Sequence, residues 1–80
     1  MESEKIISEI TPIFRKVLDN DSIILNLETT ANDIEEWDSL THIQLVVAIE
    51  KHFKIKFTAS EIQGFKNVGE MCNAIASKVS

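Results

Sequence analysis

The residues best placed to do chemistry in this chain are Trp37-Asp38-Ser39-Leu40, which lead directly into a long apolar helical pattern. Aspartate is a good N-cap, because its carboxylate accepts from backbone N–H groups that a helix start leaves unpaired. Ser39 then becomes the first helical residue, with its hydroxyl free of the helix body. A phosphodiester formed there would be an anion at the positive end of the helix dipole, beside amides with no intrahelical partner. Asp-Ser-Leu is also an ordinary helix cap, so the tripeptide needs support from the rest of the chain.

Other chemistries fare worse on the same residues. Ser39 and His42 are three apart on a helix and could pair as nucleophile and base. No orienting carboxylate or oxyanion site accompanies them. A chain of 80 residues buries only roughly 60–65% of its unfolded surface, which leaves little interior for an enclosed active site. The reading is therefore not an enzyme, with His42 on the surface near Ser39 and His52 at a helix end that favours a cation. Metal ligation by these two histidines has no cysteine nearby to support it. A calcium loop starting at Asp19 and Asp21 fails because Ile23 and Ile24 occupy its third-ligand and glycine positions and Thr30 its closing-glutamate position. Cys72, the single cysteine, cannot form an internal disulfide and falls on an apolar stripe, so it reads as core.

The formal charge of −5 repels nucleic acid and anionic membrane surfaces and favours basic partners. Its distribution is uneven. Glu28, Asp33, Glu35, Glu36 and Asp38 crowd the approach to Ser39 with no Lys or Arg among them, and Lys51, Lys54 and Lys56 follow it. The acidic cluster reads either as a solvated loop or as a docking surface for a basic enzyme. No apolar run approaches the ~20 residues of a membrane span, and the N-terminus is Glu-rich where a signal peptide would be basic. A cytoplasmic monomer is expected.

The elements that must position Ser39 follow from apolar spacing. Ile6, Ile7, Ile10, Ile13, Phe14, Val17 and Leu18 predict one amphipathic helix starting after Ser3, kinked but continuous at Pro12 because the stripe keeps phase across it. From Asp19 to Asp38 the periodicity is lost, which predicts a long loop tied to the core by Ile23-Ile24-Leu25 and Leu27. The second helix is expected from Ser39 to about Phe53, with Leu45, Val46, Ile49 and Phe53 inward and Leu40, Ile43 and Val47 exposed beside the serine. Lys54 to Phe57 is an extended connector. Thr58 with Glu61 predicts a capped, very short third helix, and Asn67 with Glu70 a cap before a fourth that carries Val68, Met71, Cys72, Ile75, Ala76 and Val79. The fold class is all-α: one domain over residues 1–80, a small four-helix bundle with a long loop between the first and second helices and a short third helix.

Several segments together carry a resemblance. After the serine come Leu45-Val46-Val47-Ala48-Ile49-Glu50, then Phe53, Ile55 and Phe57, then Ser60-Glu61-Ile62 and Asn67-Val68-Gly69. Along its whole length the chain resembles acyl carrier proteins. The resemblance implies a 4'-phosphopantetheine arm on Ser39, transferred from coenzyme A by a phosphopantetheinyl transferase with a divalent metal. The arm's thiol, and no protein side chain, then bears acyl groups as thioesters for acyl-loading and acyl-transfer or synthase enzymes. Asp38 would present Ser39 to the transferase and Leu40 would enter an apolar pocket on it, while Ile43, Gln44, Val47, Glu50 and Lys51 would be read by partners.

This chain also departs from the pattern. Glu36-Trp37 stands where many fatty-acid carriers have a small pair, and Thr41, Gln44, Lys51 and His52 stand where Asp or Glu are common. Those departures imply a specialised carrier with dedicated partners outside ordinary fatty-acid synthesis. Two alternatives stay open: a carrier of aminoacyl groups, and an unmodified helical interaction module that binds through Leu40, Ile43 and Val47.

Overall fold

The computed structural model describes residues 2–79, which form four helices and one 3-10 turn. They are α1 (Ser3–Val17), the turn Ala31–Asp33, α2 (Ser39–Phe53), α3 (Ala59–Gly64) and α4 (Val68–Val79). The all-α expectation holds.

α1 runs through Pro12 as one helix, with Ile6, Ile10 and Phe14 fully buried along one side. Thr11 Oγ1 donates to the Ile7 carbonyl at 2.6 Å in the turn next to the proline. The helix begins one residue earlier than expected: Glu2 is the cap position, and its side chain makes no cap hydrogen bond. α1 packs against both α2 and α4. Their shared interior contains Leu45, Val46 and Ile49 of α2 and Val68, Met71, Cys72 and Ile75 of α4. Burial pushes the Cys72 thiol up to about 11, so it remains protonated packing material.

The long loop is tied down differently from its sequence expectation. Ile23, Leu25, Ile34 and Trp37 enter the core, whereas Ile24 is 80% exposed and Leu27 46% exposed. Residues 23–25 have no helical or turn structure, and in extended backbone successive side chains face opposite ways, so burying Ile23 and Leu25 turns Ile24 to solvent. Leu27 contributes its carbonyl in place of its side chain. That oxygen accepts from Gly69 N–H at 2.9 Å, and the carbonyl of Thr29 accepts from Val68 N–H at 2.9 Å. Loop carbonyls thus satisfy donors that the start of α4 leaves open. The approach requires glycine, since a Cβ at position 69 would stand 2.9 Å from the Leu27 oxygen. Arg15 closes the other side by donating from Nε to the Ile23 carbonyl at 2.9 Å.

α2 ends where the sequence predicts, but Phe53 is half-buried at the edge of the core and not part of its interior. As the last helical residue it precedes Lys54, whose left-handed backbone (φ 59°, ψ 48°) turns the chain out of the helix. The N–H groups of Lys54 and Ile55 both donate to the Glu50 carbonyl. Glu50 Oε2 accepts from Phe57 N–H at 2.8 Å, which fixes the connector into α3. Both predicted caps downstream are present: Thr58 and Glu61 exchange hydrogen bonds at 2.8 and 3.1 Å, and Asn67 Oδ1 accepts from Glu70 N–H at 2.9 Å.

Candidate functional site

Asp38 starts α2 with a closed set of bonds. Its Oδ1 accepts from the N–H groups of both Leu40 and Thr41 at 2.9 Å. Thr41 Oγ1 accepts from Asp38 N–H at 2.8 Å and donates to the Glu36 carbonyl at 2.8 Å. The Thr41 N–H, more than any other group, holds the Asp38 carboxyl below its ordinary value of 3.8, so the aspartate is an anion at neutral pH.

Ser39 is the first residue of α2 and is exposed, as the cap predicts. The free amides expected beside it are a different matter. The Leu40 and Thr41 N–H groups are already taken by Asp38, and the His42 N–H donates to the Asp38 carbonyl at 2.8 Å. A phosphodiester on Ser39 would meet the helix dipole but also the negative charge of Asp38, with most first-turn donors already engaged. Such a group fits sterically on an exposed residue without displacing packed atoms. Its root is tethered by the covalent bond and not clamped by a nest of amides.

Behind the serine lies an aromatic wall that the sequence reading missed. Trp37 is only 4% exposed and its ring meets Phe14 edge-on at 5.1 Å. Its Nε1–H donates to His42 Nδ1 at 3.1 Å, and His42 Nε2 lies 2.9 Å from the Ile62 carbonyl. Only the neutral imidazole with its proton on Nε2 satisfies both contacts. His42 is therefore no free surface residue and no base for Ser39: both ring nitrogens are engaged, tying the loop and α3 to α2. Its ring stacks on Trp37 at 6.0 Å and meets Phe65 edge-on at 6.2 Å. A signal for this existed. Trp37 precedes the cap and His42 is the fourth helical residue, the two positions whose side chains pack together in a hydrophobic staple. Beyond the wall, Ser39, Ile43, Ile62 and Phe65 line an open groove of about 360 Å³.

The outer arc of α2 is exposed as expected, with Leu40 at 69%, Ile43 at 50% and Val47 at 41%. Gln44 and Lys51 are exposed too, beside a shallow groove with Ile13 and Val17 of α1. Glu50 stands apart from these, half-buried, with one carboxylate oxygen committed to Phe57. His52 Nε2 lies 3.2 Å from Glu9 Oε1, which links the end of α2 to α1.

Comparison with known proteins sets this geometry in context. The family model for a phosphopantetheine attachment site matches residues 8–75. The solution structure of a holo acyl carrier protein from Geobacter metallireducens is 51% identical, with a TM-score of 0.86 over 91% of this chain and 84% of that one. A chain assigned as an acyl carrier protein from Mycobacterium tuberculosis shares the fold, with a TM-score of 0.75 at 22% identity over 95% of this chain and 97% of that one. Among curated proteins there was no significant match.

Proposed function

As this chain belongs to the phosphopantetheine-attachment family, among its acyl carrier proteins, we propose that Ser39 is the residue that carries the arm. Members of this kind bear phosphopantetheine covalently and are not enzymes themselves. The observation that carries the assignment is an exposed serine at the first position of a helix capped by an ionised aspartate, inside the matched residues. Ser22 also follows an aspartate, but it lies in the loop, with its N–H bound to Asn20 Oδ1 at 2.9 Å and no helix behind it.

When bound, the arm supplies a terminal thiol that holds an acyl group as a thioester. The protein's own part is to present the arm and to be recognised. Engaged first-turn amides and the Asp38 charge leave the phosphodiester unclamped, which suits an arm that must visit several active sites. Leu40, Ile43 and Val47 offer apolar contact to a phosphopantetheinyl transferase and to acyl-loading and acyl-transfer or synthase enzymes, with Gln44, Lys51 and the free oxygen of Glu50 at the margin. Gln44 and Lys51 in place of acids suit dedicated partners better than general fatty-acid synthesis enzymes. The carrier works as a cytoplasmic monomer; among the described residues no helix is long and apolar enough to cross a membrane.

Intact-mass measurement tests the site. Wild type treated with coenzyme A and a broad-specificity transferase gains the mass of one phosphopantetheine, whereas Ser39→Ala gains none and keeps its helical circular dichroism. Unmodified wild type, under conditions that convert a control carrier, sinks the assignment, as does a mass gain on Ser39→Ala. The cargo is read by weighing the protein purified from its native host under conditions that preserve thioesters.

A further inference from the structure

A third groove, of about 380 Å³, opens where α2 ends and is lined by Val47, Glu50, Lys51, Lys54, Ile55 and Lys56. Its three lysines are exposed, and its apolar floor is provided by Val47 and half-buried Ile55. Among the described residues the only acid–base side-chain contacts at ion-pair distance are His52 with Glu9 and Lys78 with Glu61, so none of these three ammonium groups has a carboxylate of a described residue within bonding reach. Glu50 is the one acid in the lining, and its Oε2 is held by Phe57 N–H. In a chain of net charge −5 this is a local inversion of sign. Lys54 adds to it from a left-handed backbone (φ 59°), the helix-exit conformation that most favours glycine.

The acidic approach to Ser39 lies at the other end of the same helix. The 15 residues of α2 place about 22 Å of rise between the two ends. A partner that engages both therefore meets negative charge at the serine and positive charge at the helix exit.

We propose that the groove at the exit of α2 is a docking surface for an acidic protein surface, one that presents carboxylates around an apolar side chain able to seat between Val47 and Ile55. Charge complementarity selects the rim and the apolar floor selects the occupant's centre. A flat anionic lipid surface would use the lysines but leave the groove between them unfilled, which favours a protein. The proposal rests on the carrier reading only in that such a partner would also handle the arm; binding at the groove does not require modification of Ser39.

The test is an amide-resolved NMR titration of the full chain with three probes. They are a synthetic amphipathic peptide with Glu on its polar face and Leu at helical spacing, the same peptide with Lys for Glu, and phosphatidylglycerol vesicles. The glutamate peptide should shift Val47, Lys51, Lys54, Ile55 and Lys56, with an affinity that falls as salt rises. K51E/K54E/K56E should weaken it roughly tenfold or more through like-charge repulsion. Should the triple variant melt early, K51E/K56E leaves the Lys54 turn intact and should lose affinity in the same direction. Equal binding of the lysine peptide, shifts confined to other residues, vesicle binding without peptide binding, or undiminished affinity in the charge-reversed variants would each overturn the proposal. The mass gained by wild type with coenzyme A reports on Ser39 separately, so failure at the groove and failure of the carrier reading are told apart.

Discussion

α1 and α2 are both 15 residues long and pack against each other, yet they distribute their apolar side chains in opposite ways. α1 buries Ile6, Ile10 and Phe14 and packs Ile7, Ile13 and Val17 along the margin of the core. Its other face is polar. α2 buries Leu45, Val46 and Ile49 and then leaves Leu40, Ile43 and Val47 in solvent. Of the five large hydrophobic residues exposed among the described residues, these three lie on α2 and none on α1. Packing alone accounts for the sequence of α1. For α2 it accounts for one arc, and the second arc is an apolar patch of the kind that marks an interaction surface.

The comparison breaks most readily in the core. Phe14→Ala should cost about 3–5 kcal/mol in urea unfolding, a large share of the stability available to so small a domain. Val47→Ala should stay within about 0.5 kcal/mol, and half-buried Phe53→Ala should fall between the two. Similar losses for Phe14 and Val47 would mean that the outer arc of α2 is structural after all.

A smaller effect is expected at the root of α2. Trp37→Phe keeps an aromatic ring beside Phe14 but removes the Nε1–H, which leaves His42 Nδ1 without its donor. The loss should be about 1 kcal/mol, accompanied by movement of the Ile62 and Phe65 amide resonances. Unchanged stability and an unmoved α3 would show that the Trp37–His42 bond does not tie these elements together.

The smallest contrast concerns the two helix starts. α1 begins with no side-chain cap bond, whereas α2 begins on Asp38. The Asp38 carboxyl is depressed in the folded state, first by the Thr41 N–H. Its contribution to stability is therefore present above the ordinary value of 3.8 and is lost as pH falls through the lower folded value. Asp38→Asn should flatten the acid limb of stability against pH, measured by urea unfolding at a series of pH values. An acid limb as steep in Asp38→Asn as in wild type would remove the distinction between the caps.

Features governed by neighbours a few residues apart were legible in the sequence. The limits of α2, the Thr58–Glu61 cap, the Asn67 cap and the continuity of α1 across Pro12 each follow from side chains acting on backbone within one or two turns. The exposure of Ser39 was legible for the same reason, since it depends on the cap beside it. Tertiary structure decided the rest. Whether Ile23 or Ile24 turns inward depends on where α1 and α4 leave room for the loop, and the use of the Leu27 carbonyl depends on how near Gly69 approaches. Phe53 lost its interior position because the chain leaves α2 at Lys54. One carboxylate oxygen of Glu50 is committed to the Phe57 amide, seven residues ahead. His42 shows the division within one residue. Its place one turn above Trp37 is a local fact, but the Ile62 carbonyl that fixes its tautomer lies 20 residues away, and only the packing of α3 on α2 brings the two together.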